Sequence, residues 1–457
     1  MPPPITIRQL LRRNPNFRRL WIAQLVSFLG DWFNTLAVYD LVSELSGGSG
    51  QALALVLVAR FLPTLVFSAA AGVVADRVSR RKILIVSDVL RALVVLGFLL
   101  VRDSSQVGLV YVLTALQLSL SAFFQPARDA AVPTITTREE LLPANALSGI
   151  SWSAMLTLGA ALGGLVTHGL GRNAAFVIDA LSYLFSAWMV RGVRIPERQP
   201  PSSRTPVSDS TATRQPRLTL SALTGAADIA EGAAYVWRHP IVAWLLSIKL
   251  GWGLGGGVLL LLVIFGERVF VPPGGALGVG ILYAARGLGS GIGPLLARRF
   301  GGDSPPSMRR SILVAFLCAG CFYIGFSYAP NLPLAVIALL GAHVGGSILW
   351  VFSTTLLQMA VPDRFRGRVF AAEWALVTLS MSASSYFTGW AIDLPDMDPR
   401  FIARVLGCVF MIPGLLWGLG QIYVAGRLER HLAARRAAEA AEMGEESAAE
   451  TTELELG

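Results

Sequence analysis

Charge is scarce in this chain: only 15% of its 457 residues are Asp, Glu, Lys or Arg, where a soluble domain carries about 25%. That shortage excludes a string of ordinary soluble domains. Cysteine is scarcer still, with Cys318, Cys321 and Cys408 alone. All three fall inside apolar runs, so neither a disulfide framework nor a zinc site is expected. Cys318 and Cys321 form C-x-x-C without the thioredoxin-like context of a redox motif, and the three are read as packing residues. No Walker A sequence occurs, so the chain does not hydrolyse ATP itself, and no H-E-x-x-H or other paired catalytic group points to an enzyme. A cleavable signal peptide is not expected either: Met1 to Leu20 is polar and Arg-rich, and the first apolar run is too long for a signal core.

What the chain has is hydrophobicity. Apolar residues make up 54% and the mean hydropathy is +0.58. Two apolar blocks of similar size flank a polar, Arg-, Pro- and Ser-rich stretch from about Arg191 to Arg238. With about 20 apolar residues per bilayer crossing, each block reads as six spans. The first six lie near 18–42, 50–75, 83–101, 107–126, 149–170 and 174–191. The second six lie near 241–265, 277–297, 311–329, 331–352, 367–392 and 401–424. The organisation is an N-terminal arm (1–17), a six-helix bundle (18–192), a linker (193–238), a second six-helix bundle (239–425) and a tail (426–457). The linker is expected to hold an amphipathic helix from about Leu218 to Trp237 after a mobile stretch, Gln199 to Gln215. Thr137-x-x-Glu140 forms a capping box predicted to start a short helix before span 5. The Ala/Glu-rich tail is expected to be helical at first and then disordered.

Arginine and lysine set the orientation. The arm, every second loop, the linker and the tail hold 29 of these residues, and the alternate loops hold 4. By the positive-inside rule both termini and the linker are cytoplasmic, which requires an even number of spans. This distribution accounts for the net charge of +9 without a nucleic-acid partner. The halves also look duplicated. Asn14-Pro15 and His239-Pro240 are 225 residues apart, Ala59-Arg60 and Ala285-Arg286 are 226 apart, and Ala131-Val132-Pro133 and Ala360-Val361-Pro362 are 229 apart. Matches at nearly constant offset in corresponding spans indicate parallel repeats about an axis along the membrane normal.

Loop 2–3 reads Gly72-Val-Val-Ala-Asp76-Arg77-Val-Ser79-Arg80-Arg81-Lys82. It resembles the major facilitator superfamily signature G-x-x-x-D-R-x-G-R-R/K, with Ser79 in place of the second Gly. The segments NPNFRRLWIAQLVSFLGDWF, PARDAAVPTITTREELLPANALSG and VPDRFRGRVFA are similar to the bacterial branch that includes the enterobactin exporter and macrolide efflux proteins. The resemblance implies an all-α fold of twelve transmembrane helices in two pseudo-symmetric six-helix bundles. It implies a latch in which Asp76 engages the start of helix 11, near Arg366-Gly367-Arg368, with Gly72, Arg77, Arg80 and Arg81 around it. A carboxylate at an exposed helix N-terminus is worth about 0.3–1 kcal/mol. Arg81 and Lys82 also read as plain positive-inside anchors. Gly159-Ala160-Ala161-Leu162-Gly163-Gly164 resembles the antiporter signature G-P-x-x-G-G without its Pro. These glycines are either a helix-packing face or a gate. Gly287, Gly289, Gly291 and Gly293, with Pro294, read as a packing face with a kink rather than a phosphate loop.

Ionisable groups inside the spans are few, and burying each costs at least about 2.5–3.5 kcal/mol, which makes them functional candidates. Asp31 in span 1 and Arg60 in span 2 lie at similar depth and can pair; Asp31 is also the leading coupling or substrate residue. Glu373, Arg286 (the repeat mate of Arg60) and Lys249 are further coupling or substrate-binding candidates. Asp88, Arg91 and Asp179, on the third helix of each triplet, read as structural. His343 reads as a packing residue, and span 4 lacks the interior Arg that proton-coupled drug exporters of the family often carry. By resemblance the chain exports a small amphipathic molecule, drug or siderophore-like, by alternating access and proton antiport. It would do so as a monomer in the bacterial inner membrane without a cofactor. Alternatives are import of a nutrient or lipid, and a non-transporting receptor or assembly factor.

Overall fold

The computed structural model describes residues 5–196, 226–270, 275–300, 302 and 304–456, and within the helices it leaves some side chains undescribed. A short α1 (Ile7–Arg13) precedes α2 (Pro15–Leu45), α3 (Gly50–Arg77), α4 (Arg80–Gly97), α5 (Val107–Ile135), α6 (Arg138–Leu170) and α7 (Arg172–Arg191). After the linker come α8 (Ala226–Arg238), α9 (Pro240–Gly253), α10 (Gly256–Ile264), α11 (Gly275–Phe300), α12 (Pro305–Tyr328), α13 (Leu332–Ala360), α14 (Asp363–Ile392) and α15 (Pro399–Leu456). No strand occurs among the described residues. A helix satisfies its own backbone groups, which hydrocarbon cannot.

The helix starts are written locally. Asn14 accepts from the Phe17 amide with Pro15 at the first helical position, Ser49 accepts from Ala52, and Asn331 accepts from Leu334. Thr137 and Glu140 form the anticipated capping box, but the helix it opens runs unbroken through Leu170, with Pro143 inside it. The described part of the linker is α8, within the predicted amphipathic segment, and Arg368 of α14 pairs with its Glu231 at 2.8 Å. Gln199–Gln215 lies outside the described residues. The tail differs from expectation: α15 continues to Leu456, because Ala and Glu, which dominate 426–456, are strong helix formers and no Pro interrupts them. The three cysteines are free and turn outward rather than packing inward.

Among the described residues, ten helical segments are long and apolar enough to cross a membrane. α2 and α14, at 31 and 30 residues, have the length but fall outside that set. These are the helices that carry Gln24, Ser27, Asp31, Asn34 and Thr35, and Glu373, Thr378, Ser380, Ser382, Ser385 and Thr388. Their polarity is spent inside the protein.

Span 7 is interrupted. α9 stops at Gly253, the chain turns through Leu254-Gly255, and α10 resumes at Gly256 before a π-turn over Phe265–Val269. Serines of α14 satisfy the backbone groups freed by the break: Ser384 donates to the Leu254 carbonyl and accepts from the Gly257 amide at 3.0 Å, and Ser380 donates to the Leu250 carbonyl at 2.9 Å. A break in a bilayer helix is tolerated only with such partners.

Candidate functional site

The two halves meet most closely along α6 and α11. A Cβ on Gly164 would sit 2.8 Å from the Ala276 carbonyl oxygen, and one on Gly280 would sit 2.7 Å from that of Ala160. Gly159 and Gly163 instead admit Trp32 of α2. All three glycines singled out in span 5 are therefore packing positions. The glycines of α11 divide by face: Gly287 and Gly291 meet α6 at Thr157 and Ser153, whereas Gly289 and Gly293 meet α13 at Leu340 and Ser347. A spacing of four puts each pair on one side of the helix.

A cavity of about 430 Å³ is lined by the N-terminal half and reached from the second half by Arg286. Ser27, Phe28, Asp31, Trp32 and Thr35 of α2 line it, with Arg60 and Thr64 of α3, Arg91 of α4 and Gln117 to Pro126 of α5. Trp152, Met155 and Leu156 of α6 and Arg286 of α11 complete the wall. Asp31, Arg60 and Arg286, chosen from sequence, thus share one chamber. Asp31 and Arg60 do not pair. Tyr183 of α7 donates to Asp31, and behind it runs a buried chain: Asn34 donates to Gln117 at 2.6 Å and Gln117 to Tyr183 at 2.9 Å. Neither Arg60 nor Arg286 makes a hydrogen bond or ion pair with a described residue. Arg286 lies 5.8 Å from the centroid of the Tyr283 ring. Tyr283 is itself held by the Leu259 carbonyl at 3.0 Å and packs at 5.6 Å from Trp32.

Arg91, expected as a structural residue on an outer helix, also reaches the chamber with its guanidinium. It lies between the Phe124 ring at 4.5 Å and the Tyr183 ring at 4.3 Å, is paired with Asp88, and donates to Ser121 at 3.3 Å. Long side chains carry charge well beyond their own helix. A chamber cation therefore comes from α4, whereas α5, the span found to lack an interior Arg, supplies Gln117 at its wall. Asp88 and Asp179 remain behind the wall, both 0% exposed, Asp179 accepting from Ser182 at 3.3 Å.

Lys249 and Glu373 lie apart from this chamber and pair with each other. The Lys249 ammonium sits 3.3 Å from the Glu373 carboxylate, donates to Thr354 at 2.8 Å and lies 3.4 Å from the centre of the Trp350 ring. Their side chains are 1% and 5% exposed. Removing one member of a buried pair costs about 3–5 kcal/mol, whereas replacing both by apolar groups is often neutral. Lys249→Met should accordingly lower the melting temperature in detergent sharply, and Lys249→Met with Glu373→Met should restore most of the loss. A double variant no better than the single one would contradict a static pair.

His343 stands beside Arg286 in a small pocket of about 20 Å³, bounded by the broken helix at Trp252, Gly255 and Gly256. Its Nε2 is buried without a partner among the described residues, and its ring meets Tyr323 edge-on at 5.8 Å. Sequence reasoning missed this pocket. The signal was present as Gly251, Gly253, Gly255, Gly256 and Gly257 in one span, since glycine-interrupted helices border midplane sites.

At the face away from the termini, the halves are tied together. Asp393, at the end of α14, accepts from the Gly50 amide at 2.6 Å, the Gln51 amide at 2.9 Å and the Ser49 hydroxyl at 2.7 Å, all at the start of α3. Ser43 donates to Glu267 nearby. Of the signature loop, Arg80 donates to the Ala130 carbonyl at 2.7 Å and Arg81 to that of Arg191. The side chains of Gly72, Asp76 and Arg77 lie outside the described residues.

Two membrane-embedded halves with a chamber that a small molecule can fill define a transporter rather than an enzyme. Residues 20–385 match the profile of the Major Facilitator Superfamily. The chain belongs to that superfamily. It is 25% identical over 441 residues to the uncharacterized MFS-type transporter YfiS of Bacillus subtilis, covering 91% of this chain and 95% of the relative. It is 25% identical over 437 residues to the multidrug efflux pump Tap of Mycolicibacterium fortuitum, covering 90% and 96%. Macrolide efflux protein A of Streptococcus pyogenes is 24% identical over 381 residues, covering 80% and 86%. Among solved structures, the nucleoside transporter NupG superposes with a TM-score of 0.63 at 11% identity, covering 88% of this chain and 98% of that one. A bacterial homologue of the iron transporter ferroportin in its inward-facing state superposes with a TM-score of 0.62 at 16% identity, covering 88% and 97%. The structural likenesses establish the fold.

Proposed function

We propose that the chain exports a small amphipathic molecule from the bacterial cytoplasm by alternating access, in exchange for protons. The observation that carries this is the shared chamber: Asp31 is a carboxylate at the surface of a mixed aromatic and charged cavity in the first half, reached by Arg286 of the second. A carboxylate there can change protonation as the chamber changes side. The Tyr183 hydroxyl donates to it and fixes its place at the chamber wall.

The direction of transport is supported by relatives named as efflux proteins. The Arg and Lys bias of its loops supports a cytoplasmic position for the terminal face. The Asp393 contacts that tie the opposite face support access to the chamber from the cytoplasm in this conformation. Asp76 is the counterpart at the other end of α3, engaging α14 when the chamber faces outward. The protein works as a monomer, one chamber per chain.

The direct test uses the purified protein in liposomes with an imposed pH gradient. An amphipathic dye or drug loaded on the cytoplasmic side should be moved faster with the gradient than without it, and a protonophore should abolish the difference. Flux down the substrate gradient that ignores pH would remove proton exchange. Movement only towards the cytoplasmic side would favour import.

A further inference from the structure

We infer that the molecule this chamber binds is an amphipathic organic anion, its carboxylate, sulfonate or phosphate held between Arg60 of one half and Arg286 of the other. The inference rests on reading the central cavity as the transport site, and names the substrate class of that site.

Charge matching singles these two residues out. The chamber wall carries three guanidiniums, from Arg60, Arg91 and Arg286, and one carboxylate, from Asp31. Arg91 is matched by Asp88 behind the wall. Asp31 is engaged by the Tyr183 hydroxyl, not by a cation. Arg60 and Arg286 are therefore left with no hydrogen bond or ion pair to any described residue. Fixed guanidiniums within a bilayer are expensive and otherwise find partners. Here the partner position is the chamber itself.

Their placement strengthens the argument. Arg60 and Arg286 occupy equivalent positions of the two repeats, 226 residues apart. An axis along the membrane normal puts such mates at the same depth on opposite sides of the chamber. A guanidinium binds a planar or tetrahedral oxyanion through two parallel N–H donors, so a group between them can engage both halves at once. The rest of the wall suits an apolar body: Phe28, Trp32, Phe124, Trp152 and Met155. A cationic drug would meet two unmatched positive charges and one occupied carboxylate.

The test holds the body constant and changes the charge. Binding of 2-naphthoate, 2-naphthalenemethanol and 2-naphthylmethylammonium to the purified full chain in phosphatidylcholine nanodiscs is measured by calorimetry. The anion should bind at least about tenfold tighter than the alcohol, the effect of one charge-assisted hydrogen bond, and the cation more weakly than either. Arg60→Gln and Arg286→Gln should each erase most of the anion's advantage over the alcohol. Arg60→Lys should retain part of it, and unchanged melting temperatures would exclude misfolding. Equal binding of anion and alcohol, tighter binding of the cation, or no binding by any of the three would overturn the inference. The same titration in phosphatidylglycerol nanodiscs distinguishes the source of the anion. Competition by that lipid, lost in Arg60→Gln, would support the anion site with a lipid phosphate as its occupant. Because binding is read without flux, a failure of proton-coupled export leaves this result standing, and the reverse.

Discussion

Asp31→Asn should leave the protein folded and able to bind, yet remove the dependence of flux on the pH gradient. The amide keeps the shape of the carboxylate and can still accept from Tyr183, so the Asn34–Gln117–Tyr183 chain survives. What is lost is the ability to take up and release a proton at that position. Gradient-driven efflux in liposomes should fall by about 100-fold, within the range that one positioned proton-transfer group supplies. Exchange of labelled for unlabelled substrate across the membrane, which needs no net proton movement, should fall far less. The split between the two assays is what identifies coupling, since a packing defect would depress both. Gradient-driven efflux at the native rate in Asp31→Asn would remove Asp31 from the mechanism.

The second large effect is expected at Asp393. Its carboxylate takes three donors from the first turn of α3, two of them backbone amides. This is the chemistry of a helix N-cap, supplied from the other half of the molecule. Losing such a cap costs about 0.5–2 kcal/mol, and here the loss falls only on the conformation in which α3 and α14 touch at that end. Asp393→Ala should therefore shift the population between the two conformations by roughly tenfold, the effect of 1.4 kcal/mol. Spin labels at Ser105 and Asn331, exposed positions on the far face of the two halves, would report it after Cys318, Cys321 and Cys408 are replaced. Distance distributions between the labels should gain a longer component in Asp393→Ala. An unchanged distribution would mean that the Asp393 contacts do not hold that end closed.

The same positions show what the chain discloses about itself. Apolar runs of bilayer length and the alternation of Arg between loops fix the helices and their order, because the bilayer imposes one length scale on every element. The duplication placed Arg60 and Arg286 as mates, and Asp31 was conspicuous as a carboxylate in an apolar helix. Arg91's place at the chamber was not legible, because helix rank says where a backbone sits, not where a long side chain ends. Lys249 and Glu373 were both noticed, but their partnership depends on how α9, α13 and α14 pack. Asp393 lies at a helix end, where a carboxylate can simply reach water. Its role follows from contact with a helix more than 300 positions earlier, for which no local pattern exists.

The two helices that fall short of spanning apolarity have a consequence for how the protein is made. α2 and α14 must enter the bilayer with Asp31 and Glu373 aboard, each costing about 2.5–3.5 kcal/mol at mid-membrane on insertion scales. Both are more polar than the other spans. Each is repaid only when its neighbours arrive: Tyr183 lies 152 residues after Asp31, and Lys249 precedes Glu373 by 124. α14 therefore emerges from the ribosome into a half-built bundle where its counter-charge already waits. α2 must be retained until α7 has been synthesised, and α2 is accordingly the helix whose insertion should depend most on the membrane's insertion machinery.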